Sequence, residues 1–285
     1  MRIANLSGRL VLVTGDGLAV DVERASAGRF AADPQAVYPV WPEFRSWAAQ
    51  AEAAGALPAG TAFAASELGS PAPEPRQLLA IGLNYRAHAA ESGFAAPEAL
   101  PPVFTKFATS ISGPVGAVRL PAGGHTDWEV ELVVVIGRSA RDVPESEAWS
   151  YVAGLTAGQD ISERITQLAG PAPQFSLGKS FPGFTPMGPW LVTPDEFADP
   201  DDLELTCSVN GEQVQKGRTR DLIASVPALI ARLSAVLPLL PGDVLFTGTP
   251  AGVGMGREPA RFLNPGDELV STIEGIGELR QTFVA

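Results

Sequence analysis

Asp127-Trp128-Glu129-Val130-Glu131-Leu132-Val133-Val134-Val135-Ile136-Gly137 sets acidic residues at alternate positions and then runs into a β-branched apolar stretch. Successive side chains of a strand point to opposite faces. Asp127, Glu129, Glu131, Val133 and Val135 therefore share one face, and Trp128, Val130, Leu132, Val134 and Ile136 the other. Beyond the acidic end both faces are apolar, the pattern of a strand covered on both sides. Two carboxylates two residues apart at the mouth of such a strand repel each other and resist burial unless a cation neutralises them. The stretch reads as a metal site or, alternatively, as an exposed strand end with solvated acids. Because only oxygen ligands are on offer, the metal reading favours Mg²⁺, Mn²⁺ or Ca²⁺ over zinc or copper.

A chain of 285 residues, 45% of them hydrophobic, can bury a substantial core as one large domain or as a small one plus a larger one. Twenty basic against 32 acidic residues give a net charge of -12, which argues against nucleic acid as a partner. No apolar run approaches the ~20 residues that span a bilayer, and Met1-Arg2-Ile3-Ala4-Asn5 lacks a signal-peptide pattern, so no membrane association and a cytoplasmic location are expected. The single cysteine, Cys207, sits in a strand-like segment where it reads as a small buried hydrophobe.

Residues 3 to 22 read as a meander of short strands, and Pro42 opens a helix ended by Gly55. Ser70-Pro71-Ala72-Pro73-Glu74-Pro75 excludes both helix and central strand and places a boundary between a small N-terminal α/β domain, 1–70, and a larger domain, 71–285. Leu78 to Ile81 follows as a buried strand. His88 and Glu91, three apart, are neighbours on a helix face, either as a general base with its orienting carboxylate or as an ordinary surface pair. A helix is expected over Ser146 to Ala153, then a strand ending at Asp160, which is either a third oxygen ligand or the cap of the next helix. Lys179 lies in an apolar, glycine-rich segment, as a surface charge or as a buried point charge for an anionic substrate. Further on, Asn210-Gly211 signals a hairpin, and a helix over Asp221 to Val236 is kinked by Pro227 or begins there. Thr247 to Gly254 superficially suggests a phosphate loop, but no lysine and no helical pattern follow. It reads instead as a rigid loop bringing backbone and Thr249 close to a small ligand.

These pieces resemble the fumarylacetoacetate hydrolase family from about Leu78 to the C-terminus. The marks are GLNYRAHAAE at 82 to 91, DWEVELVVVIG at 127 to 137, GQDISER at 158 to 164 with Gln167, GKSF at 178 to 181, GPW at 188 to 190, VNGE at 209 to 212, PGDVLFTGTPAGVG at 241 to 254 and PGDE at 265 to 268. Their order together carries the resemblance. It implies an α+β fold with a mixed β-roll core, a homodimer, and a 2-oxo acid substrate handled with a divalent ion, Mg²⁺ or Mn²⁺. By position it implies metal ligands at Glu129, Glu131 and Asp160, and a water-activating dyad at His88 and Glu91. It places the substrate-side cation at Lys179, and substrate contacts at Tyr85, Arg164, Gln167 and Thr249. The segment from Tyr85 to about Phe94 is expected to act as a lid, with Glu91 to Pro101 and Gly170 to Phe175 supplying pocket walls. Ile165 and Pro182 depart from the family pattern and bear on pocket shape.

The leading functional expectation is a metal-dependent hydrolase acting on a carbon-carbon bond in a ketonic substrate, cleaving a 2,4-diketo acid of acylpyruvate type to pyruvate and a carboxylic acid. Oxaloacetate decarboxylation or enol-keto tautomerisation is the alternative, because neither needs attack by water. A non-catalytic binding protein on the same scaffold ranks last, since the dyad and all three ligands are present.

Overall fold

The computed structural model describes residues 1–15, 17–91, 93 and 101–285. The acidic stretch forms two strands rather than one. Thr126–Asp127 pairs with Ser162–Glu163, and the chain enters the longer strand Val130–Ile136 only after Trp128 and Glu129. The break has a cause in side-chain hydrogen bonding. The Glu129 and Val130 backbone N–H groups donate to Gln159 Oε1 at 2.9 Å and Gln215 Oε1 at 3.0 Å. Every residue of Val130–Ile136 is buried. Trp128, Val130, Leu132, Val134 and Ile136 pack with Leu205, Cys207 and Leu269, whereas Val133 and Val135 pack with Tyr38, Trp41, Phe44 and Phe246. The alternation read from the sequence thus separates two cores, one on each side of the strand.

Val130–Ile136 lies near the centre of the larger sheet. Among the described residues its main path runs Leu18–Asp21, Arg9–Thr14, Arg2–Leu6, Thr185–Val192, Val152–Gln159, Val130–Ile136, Val244–Phe246, Leu78–Ile81, Val103–Thr105. Most neighbours are antiparallel, but Val244–Phe246 and Leu78–Ile81 run parallel, so the sheet is mixed. A five-stranded sheet, ordered Glu212–Arg218, Glu204–Val209, Glu268–Ile273, Gly277–Val284 and Val115–Arg119, covers one face. The helix Trp41–Ala53 contributes to the core on the other. The fold is α+β with mixed sheets, as expected.

The N-terminal meander joins the larger sheet directly, because Arg2–Leu6 pairs with Thr185–Val192. The proline-rich stretch is packed: Ser70, Pro71 and Ala72 are buried, and Tyr38 Oη donates to Pro71 O at 2.8 Å. One sheet therefore spans both sides of position 70. One other element differs from expectation, and at a second, one of the two stated alternatives holds. Glu145–Tyr151 is a 3₁₀ helix, and Val152 and Ala153 already belong to the strand Val152–Gln159, where Val152 pairs with Ile136. The late helix begins at Val226, with Ser225 Oγ accepting from Ala228 N and Pro227 in the first turn. Pro227 starts this helix rather than kinking it, since its missing N–H has no intrahelical partner to lose there.

Candidate metal centre and catalytic cavity

Strand register builds the acidic centre. Glu131 stands opposite Gly158, Val130 opposite Gln159, and Asp160 N donates to Glu129 O at 2.9 Å. Three carboxylates thereby converge. Glu129, Glu131 and Asp160 are buried, and each offers one oxygen lying within 4.8 Å of the others'. Gly158 permits the approach: a Cβ there would fall 2.4 Å from Val133 Cγ2 and 2.6 Å from Phe246. Asp160 does not cap the following helix. Glu163 does so, accepting from Ile165 N and Thr166 N at 3.0 and 2.8 Å.

Three cations partly balance these acids. Lys179 is buried, and its Nζ donates to Glu129 Oε2 at 2.8 Å, Asp160 Oδ2 at 2.7 Å and Ser162 Oγ at 2.8 Å. Arg164 Nη2 donates to Glu129 Oε1 at 2.8 Å and makes an ion pair with Asp127 Oδ1 at 2.6 Å, while Nη1 donates to Gln167 Oε1 at 2.9 Å. Lys106 donates to Asp160 Oδ1 and, at 3.0 Å, to Phe184 O.

The electrostatics follow from this arrangement. Burial alone would raise the Glu129 pKa, but Lys179, Arg164 and His88 hold it below the usual carboxylate range. Glu131 is pushed well above that range by burial and by the Asp160 and Glu129 charges, even though Gly248 N donates to its Oε2 at 2.7 Å. Burial pushes the Lys106 ammonium down, Asp160 only partly offsetting it. For Lys179, Asp160 and Glu129 outweigh the same burial and raise it. A buried carboxylate whose charged form is disfavoured by burial and by two acidic neighbours, in an oxygen-only donor set, fits a hard divalent cation.

The dyad forms beside this centre. His88 and Glu91 lie on the short helix Arg86–Glu91, with His88 Nδ1 2.8 Å from Glu91 Oε1. Gly252 N donates to both Glu91 oxygens, at 3.1 and 2.8 Å. The glycine-rich loop thus gives one backbone N–H to a metal-ligand candidate, Glu131, and another to the dyad. The approach expected of this loop is to a small ligand; the backbone N–H groups seen here go to protein carboxylates.

A cavity of about 50 Å³, opening toward solvent, reaches both the acidic centre, through Glu129, and the dyad, through His88, while Glu131, Asp160 and Glu91 lie off its wall. His88, Glu129, Arg164, Gln167, Lys179 and Thr249 line it, as does Phe175 from the expected wall segment. Thr249 is tied down, donating to Val130 O at 2.9 Å and accepting from Gln215 Nε2 at 2.8 Å. Tyr85 is 4% exposed and off the cavity wall, and its Oη has no hydrogen-bond partner among the described residues. Ile165 and Pro182 are exposed and off the wall as well, so their departure from the family pattern leaves the described lining untouched. Of the expected lid and wall segments, residues 92 and 94–100 lie outside the described residues. Sequence reasoning missed Lys106 and Gln215. A lysine followed by Phe107 in Val103-Phe104-Thr105-Lys106-Phe107 is the only signal for the first, and an exposed-looking hairpin hides the second.

The family described as fumarylacetoacetate (FAA) hydrolase C-terminal matches residues 77–284. Similar solved structures include a "putative HpcE protein" from Mycobacterium smegmatis, 59% identical, covering 100% of this chain and 99% of its own, with a TM-score of 0.94. Maleylpyruvate hydrolase from Sphingobium sp. SYK-6, in complex with manganese(II) and pyruvate, is 30% identical with coverage of 100% and 99% and a TM-score of 0.81. A 5-carboxymethyl-2-hydroxymuconate delta-isomerase from Mycobacterium smegmatis is 32% identical with coverage of 100% and 98% and a TM-score of 0.75. No described helix is long and apolar enough to cross a membrane.

Proposed function

Since the chain belongs to the fumarylacetoacetate hydrolase C-terminal family, we propose that it is a metal-dependent hydrolase cleaving the carbon-carbon bond of a 2,4-diketo acid of acylpyruvate type to pyruvate and a carboxylic acid. The observation that carries this reading is His88, paired with Glu91, on the wall of the cavity that Glu129 also lines. Bond cleavage by water needs a base near neutral pH, and an imidazole oriented by a carboxylate is such a base.

Glu129, Glu131 and Asp160 would hold Mg²⁺ or Mn²⁺, which when bound supplies Lewis acidity toward the oxygens of a 2-oxo acid. The chain's own groups do the rest. Glu91 accepts from His88 Nδ1, so Nε2 is left to take a proton from water, and the Glu91 charge stabilises the imidazolium that results. Lys179 and Arg164 offset negative charge developing on the pyruvate fragment, and Gln167 and Thr249 supply polar contacts on the same wall.

A second reading, isomerisation or enol-keto tautomerisation, is favoured by the relative named as a delta-isomerase. Neither it nor oxaloacetate decarboxylation needs an attacking water, and each leaves the oriented imidazole without that task. Steady-state comparison of acetylpyruvate, a longer acylpyruvate and oxaloacetate in Mn²⁺, and again after chelation, decides between hydrolysis and decarboxylation, and proton exchange at C3 of pyruvate without cleavage of any diketo acid would favour tautomerisation. A higher kcat/KM for oxaloacetate than for every diketo acid replaces hydrolysis with decarboxylation. The proposal includes a homodimer, which sedimentation equilibrium tests.

A further inference from the structure

We propose that the cavity selects acylpyruvates whose acyl group is aliphatic or aryl, and rejects those ending in a second carboxylate. The wall carries two chemically distinct sets of residues. In one, each basic residue already has an acidic partner: His88 with Glu91, Arg164 with Glu129 and Asp127, and Lys179 with Glu129 and Asp160. These groups serve the 2-oxo acid head. Elsewhere the wall is Ile81, Leu83, Phe104, Leu168, Phe175 and Met255, beside the backbone of Gly82.

The aromatic part of that wall adjoins the cationic set. The Phe104 ring centroid is 5.2 Å from Lys179 Nζ on one side and 5.6 Å from the Phe175 ring, edge to face, on the other. Leu168, on the same wall, is 46% exposed, leaving apolar surface in water that a bound acyl chain would cover. No other cation lines the described wall. A distal carboxylate placed against Phe104, Phe175 and Leu168 would lose hydration without gaining a partner. A methylene there gains, on the order of tenfold in selectivity for each well-packed group.

This inference rests on the hydrolase reading for its reaction, but recognition belongs to the wall and is measurable without turnover. The probes are pyruvate, 2-oxohexanoate and 2-oxoadipate, titrated calorimetrically into the 285-residue chain in saturating Mn²⁺. The last two share a head group and a carbon count and differ in the distal carboxylate. The expected result is 2-oxohexanoate binding about tenfold or more tighter than pyruvate, with 2-oxoadipate no tighter than pyruvate. Binding of 2-oxoadipate as tight as that of 2-oxohexanoate overturns the proposal. Leu168→Lys is expected to move the ratio of the two affinities toward 2-oxoadipate, and an unchanged ratio removes Leu168 from the distal wall and overturns the assignment. If no acylpyruvate is cleaved while the binding order holds, the hydrolase reading falls and this one stands.

Discussion

Lys106 donates its ammonium to Asp160 Oδ1 at a position where neither side chain reaches water. Removing one partner of a buried ion pair costs about 3–5 kcal/mol, because the other charge is left uncompensated. Asp160 keeps Lys179, so the lower end applies. Lys106→Met is expected to destabilise the metal-free protein by about 3 kcal/mol, read from the urea midpoint, and to recover part of that in Mn²⁺. A midpoint equal to that of the unsubstituted protein would show that Lys106 does not neutralise the acidic centre.

His88→Ala separates catalysis from metal binding. It removes the base and leaves Glu129, Glu131 and Asp160 in place, so hydrolysis should fall about 10²-fold or more while Mn²⁺ affinity stays near the original. Cleavage of acylpyruvates at the full rate would make His88 a helix residue with no part in the reaction.

Gly252 tests the loop that orients the dyad. Its φ is +109°, a Cβ would fall 2.1 Å from Val214 O, and its N–H holds both Glu91 oxygens. Gly252→Ala must shift the loop, at a cost of about 1–3 kcal/mol for a side chain forced into that conformation. A loss in kcat exceeding the rise in KM is expected, because Glu91 loses its donor while the 2-oxo acid end is unchanged. Unaltered kcat in a folded variant refutes a positioning role for this contact.

Much of this architecture was legible because period-two alternation is a local signal. Val130 to Ile136 carried both faces of the central strand, and Asn210-Gly211 carried its hairpin, with φ values of 50° and 81°. What stayed hidden depends on contacts distant in sequence. Lys106 meets Asp160 across 54 residues, and Gln215 reaches Val130 across 85. The break at Trp128–Glu129 was unreadable for the same reason, since the side chains that take its backbone donors come from Gln159 and Gln215. The helix expected over Ser146 to Ala153 failed where pairing with Ile136 drew Val152 into the sheet, a tertiary override of local propensity.

Cys207 supplies a pH prediction. Burial pushes its thiol up to about 12, hydrogen bonds involving Ser271 and Gln159 offsetting only part of that. A thiol whose folded pKa lies above its unfolded value contributes stability that is present below about 9 and lost as pH rises toward 12. Near pH 8 the native protein should be inert to Ellman's reagent and should react fully once unfolded in urea. Rapid native labelling would place the thiol at the surface.

Metal removal tests the centre most directly. Glu131 is raised by burial and by its two carboxylate neighbours, and a divalent cation relieves that repulsion. At about 100 times its dissociation constant, a ligand binding only the native state adds about 2.7 kcal/mol. In a chain of this size that corresponds to a rise in Tm of about 5 °C. Mn²⁺ is therefore expected to raise Tm by that amount and chelation to abolish turnover. Glu129→Ala and Asp160→Ala should lose both effects, although each also leaves Lys179 with one fewer partner, so their metal-free Tm must be measured alongside. Undiminished turnover in either variant, or an Mn²⁺ shift that survives in both, would mean that these carboxylates serve only as counter-ions to Lys106, Lys179 and Arg164.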